Sequence, residues 1–189
     1  HDNDGGDVKI KSVRAVQPHS DTEPKDWRTW IGQILVIIET EDGLIGYGVG
    51  GGGQAGIHVI DTVLSRILLG ADATPVEDLW EEMYRSTLAF GQKGIVIMAI
   101  SGVDLALWDL RGKREEKPLV EVLGGGTGQS IRAYKTGFSA KEVIEVGTQG
   151  FTALKFHAGI VPGQEMGDVV GNIRTIREAL GPDFQLMGD

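Results

Sequence analysis

The sequence contains no cysteine, which excludes disulfide bonds, thiolate metal sites and a cysteine nucleophile. It also lacks any apolar stretch approaching the about 18 consecutive residues that a membrane span requires, and its longest apolar run covers only residues 95–100. Residues 1–6 are polar, with neither a basic head nor an apolar stretch, so they predict no signal peptide. No membrane partner is expected, and the cytoplasm is the default location.

Positive charge is scarce as well. Lysine and arginine number 18 against 27 aspartates and glutamates, which gives a formal net charge of −9. Such a protein repels the phosphates of nucleic acids and the head groups of anionic lipids, so we expect neither as a partner. A small anionic substrate is not excluded, because a local cation or a bound metal reverses the field inside a pocket.

The first part of the chain predicts an antiparallel three-stranded meander. Residues 8–16 alternate between apolar and charged side chains, and residues 31–40 are rich in β-branched residues. Asp42-Gly43 then separates two apolar runs, which is the strongest short hairpin signal, and residues 44–49 form the returning strand.

Helical patterns follow the meander. Apolar residues recur with helical spacing over residues 57–69, and Pro75 starts a second helix that extends to about residue 90. Residues 95–110 are apolar nearly all round, which predicts a helix buried between other elements. The glycines of residues 123–128 then predict a linker.

Beyond residue 129, short strands and helices alternate, which predicts a parallel sheet or barrel. A complete (β/α) barrel takes about 250 residues, so the chain holds less than half of one. The fold class is therefore an α+β domain over residues 1–128 followed by an α/β domain over residues 129–189. The predicted strands are residues 131–135, 153–156 and 184–187, and the predicted helices are residues 140–149 and 166–180.

The stretch Gly46-Tyr-Gly-Val-Gly-Gly51 fits the letters of a dinucleotide-binding motif, in which a helix amino terminus holds the pyrophosphate. Its context argues against that function. The preceding strand is the returning arm of a hairpin, and no strand-ending acid follows about 20 residues later. We therefore predict that the glycine run from Gly50 onward forms a mobile loop over residues 50–54.

Three features resemble the mandelate racemase/muconate lactonizing enzyme family of the enolase superfamily, and the first is the order of an antiparallel meander, a set of helices and a βα barrel. The apolar helix of residues 100–113 carries Trp108-Asp109 and Gly112-Lys113, and Leu123-Gly-Gly125 follows. Lys155-Phe156-His157 lies on the second predicted barrel strand, and the third strand ends at Asp189. The resemblance implies that residues 1–128 are a capping domain and that residues 129–189 are the first three strands of a (β/α) barrel.

The resemblance also implies roles for two residues on the second strand. In the family, the first base of this element binds a substrate carboxylate, and the second removes a proton next to it. Lys155 matches the first, whereas His157 replaces a second lysine. Their spacing places both side chains on one face of the strand. The alternatives are a solvated charge for Lys155 and a hydrogen-bonded loop histidine for His157.

Asp189 matches the position of the first of three carboxylate ligands of Mg²⁺ in the family, and the other two are expected on later strands. A turn or helix-capping aspartate is the alternative. Two loops of the capping domain, here residues 18–30 and 50–54, are expected to close over the barrel mouth, with His19, Trp27 and Gln54 as substrate contacts. Each of these three has packing or surface exposure as its alternative. Trp108, Asp109 and Lys113 are expected to be structural and to join cap to barrel.

The implied activity is Mg²⁺-dependent removal of the proton α to a carboxylate through an enediolate, with dehydration of a sugar acid to a 2-keto-3-deoxy acid as the favoured outcome. Racemisation, epimerisation and cycloisomerisation are the alternatives within the family. A non-catalytic fragment is the alternative outside it. A homo-oligomer is expected.

Overall fold

The computed structural model describes residues 8–18, 32–147, 149–157 and 166–189. The chain divides into two compact units, His1–Thr127 and Gly128–Asp189. Within the described residues, no helix is both long enough and apolar enough to cross a membrane.

The first unit contains an antiparallel sheet with the order β1-β2-β3, formed by Ile10–Val16, Ile34–Thr40 and Ile45–Gly50. Buried and half-buried side chains alternate along β2, as expected for a strand that packs one face on a core. The Asp42-Gly43 hairpin is confirmed: Gly43 has a φ of +86°, and its amide donates to the Thr40 carbonyl over 2.9 Å. Glycine adopts this φ without steric cost.

Helices cover one face of this sheet. Their apolar residues form one core with Ile34, Val36 and Ile38 of β2. The helix that begins at Gly53 is followed directly by one π-helical segment, Ile60–Leu64, and then by Ser65–Leu68. The helices are α1 (Gly53–Val59), α2 (Ser65–Leu68), α3 (Val76–Thr87), α4 (Ile95–Arg114) and α5 (Leu119–Val122).

The glycines of β3 permit a close approach of helix α4. A Cβ atom on Gly46 would collide with the Ala106 carbonyl, and one on Gly48 would collide with the Gly102 carbonyl. A Cβ on Gly50 would lie 2.8 Å from the Met98 carbonyl oxygen. The strand predicted over residues 44–49 is confirmed as Ile45–Gly50, and its missing side chains make room for a helix. The loop expected over residues 50–54 is shorter than predicted, because helix α1 begins at Gly53.

Helix α4 is less buried than the sequence predicted. Its residues Ala99, Val103 and Ala106 are buried in the core of the first unit. Ile95 and Leu105 are exposed. The apolar pattern of α4 therefore predicted more burial of this helix than the structure shows. The sheet and helix α3 cover only part of the circumference of α4.

The second unit holds a parallel sheet with the order β4-β5-β6 and two helices. Its first strand begins at Lys135, so the strand predicted over residues 131–135 is misplaced. Ile131 is almost fully exposed, and parallel pairing starts only where Lys135 lies opposite Leu154. The elements are β4 (Lys135–Gly137), α6 (Ala140–Gly147), β5 (Ala153–Phe156), α7 (Met166–Leu180) and β6 (Gln185–Gly188).

The two faces of this sheet differ in character. Leu154 and Phe156 of β5 are buried with residues of both helices, including Val143 and Ile176. Strand residues alternate between faces, so Lys155 projects from the opposite face. Register places Thr136 and Met187 beside it on the neighbouring strands. One face thus forms the core, and the other carries Thr136, Lys155 and Met187.

Candidate functional site

Three chemically capable side chains meet where the parallel strands end. Lys155 lies on β5, His157 directly follows β5, and Asp189 directly follows β6. Lys155 Nζ lies 2.5 Å from Asp189 Oδ2, and His157 Nδ1 lies 3.6 Å from the same oxygen. The structure therefore brings together the three residues that the sequence singled out on this sheet.

The backbone of neighbouring strands fixes this arrangement. Lys155 is in register with Met187 and Phe156 with Gly188, and the pairing continues one step when the Asp189 amide donates to the Phe156 carbonyl over 3.2 Å. On the other side, the His157 amide donates to the Gly137 carbonyl over 2.9 Å. The carboxyl ends of the three strands are thus held side by side, with the site on the face opposite the core.

Lys155 and Asp189 stabilise each other's charge. The hydrogen bond from Lys155, supported by its positive charge, lowers the pKa of Asp189. The hydrogen bond to Asp189, with its negative charge, raises the pKa of Lys155. Both groups are therefore ionised at neutral pH. Because the carboxylate is half exposed, water screens the pair, and its contribution to folding stability is small.

The imidazole of His157 is held more loosely. Its 3.6 Å separation from Asp189 is too long for a hydrogen bond, and 44% of its side chain is exposed. The Phe138 ring, which follows β4, packs against it edge to face with 5.4 Å between the ring centroids. Imidazole is the side chain that most often serves as a general base, which makes His157 the candidate proton acceptor of this site.

Asp189 fits a magnesium ion as a single ligand. Its carboxylate lies at a strand end and is exposed, and Mg²⁺ favours carboxylate oxygens while it keeps several waters. The described residues contain no group of three histidine, aspartate or glutamate side chains arranged to hold a metal. Asp189 therefore offers one carboxylate group at this position, beside a lysine cation.

Of the three predicted substrate contacts in the first unit, two cannot be placed. His19 and Trp27, with the predicted lid after Pro18, lie outside the described residues. Gln54 is exposed in the first turn of α1, and its side-chain amide donates to the Gln17 side chain over 3.3 Å. Gln54 as a substrate contact stays a prediction.

The residues of the Trp-Asp…Gly-Lys pattern have a structural role within the first unit. The Tyr47 amide donates to the Asp109 carboxylate over 2.8 Å. Lys113 Nζ donates to Asp109 over 2.7 Å and to the Ile45 carbonyl over 2.8 Å. The Arg111 guanidinium lies 5.2 Å from the centroid of the Trp108 ring. Asp109 and Lys113 thus fasten helix α4 to strand β3.

Sequence reasoning did not single out Phe138. The signal that marks it is Ser139-Ala-Lys-Glu142, because a serine followed three residues later by glutamate marks a helix start. A helix start after Ser139 ends the preceding strand close to Phe138. The strand prediction at residues 131–135 had placed this end too early.

Known proteins resemble both units. The family model for the N-terminal domain of mandelate racemase/muconate lactonizing enzyme matches residues 24–124, just over half of the chain. L-rhamnonate dehydratase of Saccharopolyspora erythraea is 36% identical over 159 residues, which cover 84% of this chain and 41% of that protein.

Solved structures extend the likeness to almost the whole chain. Rhamnonate dehydratase from Gibberella zeae complexed with Mg matches with a TM-score of 0.78 and 32% identity, over 97% of this chain and 53% of that one. The 3,6-anhydro-D-galactonate cycloisomerase from Zobellia galactanivorans matches with a TM-score of 0.80 and 32% identity, over 96% and 50%. The chain thus spans about half the length of these relatives. It belongs to the mandelate racemase/muconate lactonizing enzyme family of the enolase superfamily, as the sequence predicted.

Proposed function

We propose that this chain carries part of an active site that removes the proton α to the carboxylate of a sugar acid. The observation that carries the proposal is the convergence of Lys155, His157 and Asp189 at the carboxyl ends of two neighbouring parallel strands. Active sites of (β/α) barrels lie at this end of their strands. We accordingly propose that β4, β5 and β6 are barrel strands.

Lys155 binds the substrate carboxylate in this proposal. Its ammonium group is ionised and is already hydrogen-bonded to a carboxylate, that of Asp189. A substrate carboxylate next to Asp189 would meet the same cation. The positive charge of Lys155 also stabilises the negative charge that develops on the substrate carboxylate as the α-proton leaves.

His157 is the base. His157 lies two residues beyond Lys155 on the same face of the sheet. Its imidazole therefore lies beside the position at which Lys155 would hold the carboxylate, and so beside the α-carbon. The neutral imidazole takes the α-proton and becomes imidazolium. Positioned general bases typically contribute about 10²–10⁴-fold to the rate.

Asp189 is proposed as one ligand of Mg²⁺, which is present in the Gibberella zeae relative. When bound, this ion would stabilise the negative charge that develops on the substrate carboxylate. Asp189 orients this interaction because its backbone amide is hydrogen-bonded to β5.

Dehydration is the outcome that we favour among the reactions of the family. After His157 removes the α-proton, the β-hydroxyl leaves with a proton as water, and the resulting enol becomes a 2-keto-3-deoxy acid. The two rhamnonate dehydratases support this choice. The cycloisomerase is an equally good structural match, so cycloisomerisation is the second candidate.

The test is a screen of the full-length protein with Mg²⁺ against a library of sugar acids that includes L-rhamnonate and 3,6-anhydro-D-galactonate. We expect a 2-keto-3-deoxy product from at least one acid. An isomer of unchanged mass would favour racemase or cycloisomerase activity instead. Absence of both turnover and α-proton exchange across the library would contradict the proposed function.

A further inference from the structure

We infer that Phe138 is a positioning residue, which holds the imidazole of His157 in the orientation needed to reach the substrate α-carbon. The inference rests on the proposed function of His157 as a base. It is carried by the edge-to-face contact of the two rings, whose planes are inclined by 63° with centroids 5.4 Å apart. Aromatic rings favour this geometry because the positive edge of one meets the negative face of the other.

The backbone of Phe138 is itself anchored. Its amide donates to Glu142 Oε2 over 2.9 Å, and the Glu142 amide in turn donates to Ser139 Oγ over 3.2 Å. These two bonds tie Phe138 to the first turn of helix α6, and the buried Val143 of the same helix belongs to the core of the unit. Phe138 is therefore attached to a packed element.

The strand before Phe138 is pressed against the same helix. A Cβ atom on Gly137 would lie 2.6 Å from Val143 Cγ2, so the absence of a side chain permits this approach. The Gly137 carbonyl also accepts the hydrogen bond of the His157 amide. His157 and Phe138 are thus linked twice, through the backbone at Gly137 and through their rings.

Other restraints on the imidazole are weak. Its nearest charged neighbour is Asp189, at a distance that excludes a hydrogen bond. The backbone hydrogen bond of His157 fixes its Cα position but leaves rotation about the side-chain bonds free. Of the described contacts of the ring, those with Asp189 and Phe138, the aromatic contact is the one that packs against the ring and restricts this rotation. Small errors of base placement reduce rates strongly.

A matched set of variants of the full-length protein tests this positioning role. Phe138→Leu removes the ring but keeps apolar bulk, and Phe138→Tyr keeps the ring. Phe90→Leu is the control, since Phe90 is 62% exposed against 59% for Phe138 and belongs to the first unit. Circular dichroism and thermal unfolding of each variant establish that it is folded.

The first measurement needs no substrate. In the full-length protein, loss of one pair of imidazole ring signals in His157→Asn assigns the signals of His157 by proton–carbon NMR. Phe138→Leu should shift these signals because the ring current of Phe138 disappears, whereas Phe138→Tyr and Phe90→Leu should leave them in place. Unmoved His157 signals in Phe138→Leu would overturn the inference.

The second measurement is the exchange of the L-rhamnonate α-proton with deuterium oxide. Phe138→Leu should lower kcat on the order of 3- to 10-fold, which corresponds to the free energy of one aromatic pair. It should change KM by less than about twofold. Phe138→Tyr should restore the rate. An unchanged kcat in Phe138→Leu would overturn the positioning role. If His157→Asn exchanges at the wild-type rate, the proposed function fails instead, and the NMR shift would then report only a packing contact.

Discussion

Asp189 contacts the other two members of the candidate site, Lys155 and His157. Its Oδ2 atom accepts from Lys155 and lies nearest to His157, while its amide continues the pairing of β5 and β6. A magnesium ion at this carboxylate would sit beside the Lys155 cation. The carboxylate charge therefore has to balance two positive neighbours, which an uncharged amide cannot do.

Asp189→Asn should consequently weaken Mg²⁺ binding by more than about tenfold, since even changes to the partners of metal ligands cost about 10- to 100-fold in affinity. Isothermal titration of the full-length protein with Mg²⁺ measures this. Asp183→Asn is the matched control, because Asp183 is an exposed carboxylate of the same unit, in the turn before β6. Wild-type affinity in Asp189→Asn would remove this residue from the metal site.

Asp42 predicts a pH dependence of stability in the first unit. The Thr40 hydroxyl donates to it over 2.5 Å and Arg114 over 2.6 Å, and these hydrogen bonds lower its pKa to about 2. A carboxyl whose pKa is lower in the folded state stabilises the fold above its unfolded pKa of about 3.9 and loses that effect as the pH falls toward the folded value.

The advantage of the wild type over Asp42→Asn in thermal unfolding should therefore be complete at pH 5 and shrink steadily as the pH falls from about 4 toward 2. Arg114→Met should leave a smaller dependence of the same sign, because the Thr40 hydrogen bond remains. A difference that is constant from pH 5 to 2.5 would contradict this assignment.

At the scale of elements, the contact of β3 with α4 decides the packing of the first unit. Gly46, Gly48 and Gly50 recur every second residue, so they share the strand face that meets the helix. Asp109 and Lys113 then fasten the carboxyl-terminal half of the helix to the outer edge of the same strand. Close backbone contact and polar ties together fix the position of α4.

Gly48→Ala should therefore destabilise the first unit by roughly 1–3 kcal/mol, the usual cost of overpacking, because a Cβ would collide with the Gly102 carbonyl and lie 2.5 Å from Ala106 N. Chemical denaturation followed by tryptophan fluorescence measures this change. Gly126→Ala, where a Cβ meets nothing within 4 Å, should change stability by less than about 0.5 kcal/mol. Equal stability of Gly48→Ala and wild type would refute the close packing.

The sequence predicted those elements whose signals are local. The Asp42-Gly43 turn, the strand Ala153–Phe156 and the helix Met166–Leu180 lie where their turn chemistry and periodicity indicated. The strand predicted at residues 131–135 was displaced because its position depends on pairing with β5, which is not local information. The strand that carries the β3 glycines was predicted, but the reason for the glycines was not, because only the approach of α4 explains the missing side chains.

The candidate site was predicted only with the help of the family resemblance. The spacing of Lys155 and His157 indicates a shared strand face, but many strand ends carry a charged residue and a histidine. The proximity of both residues to Asp189 follows from the register of β5 with β6. Phe138 was missed because its role depends on the true end of β4, one residue before it.

At the scale of the whole molecule, the chain contains two compact units. The first matches the family's N-terminal domain, and the second brings together the candidate catalytic groups. Because the chain spans about half the length of its relatives, complete activity is a proposal for the full-length protein. A homo-oligomer likewise stays a prediction.

The central claim is that His157 removes the α-proton of a sugar acid whose carboxylate is held by Lys155. The most direct measurement is the exchange of that proton with deuterium oxide, followed by NMR, in the full-length protein with Mg²⁺. His157→Asn should reduce exchange by about 10²–10⁴-fold while the substrate still binds, whereas Lys155→Met should weaken binding as well as rate. Near wild-type exchange in His157→Asn would contradict the account and assign the base to another residue.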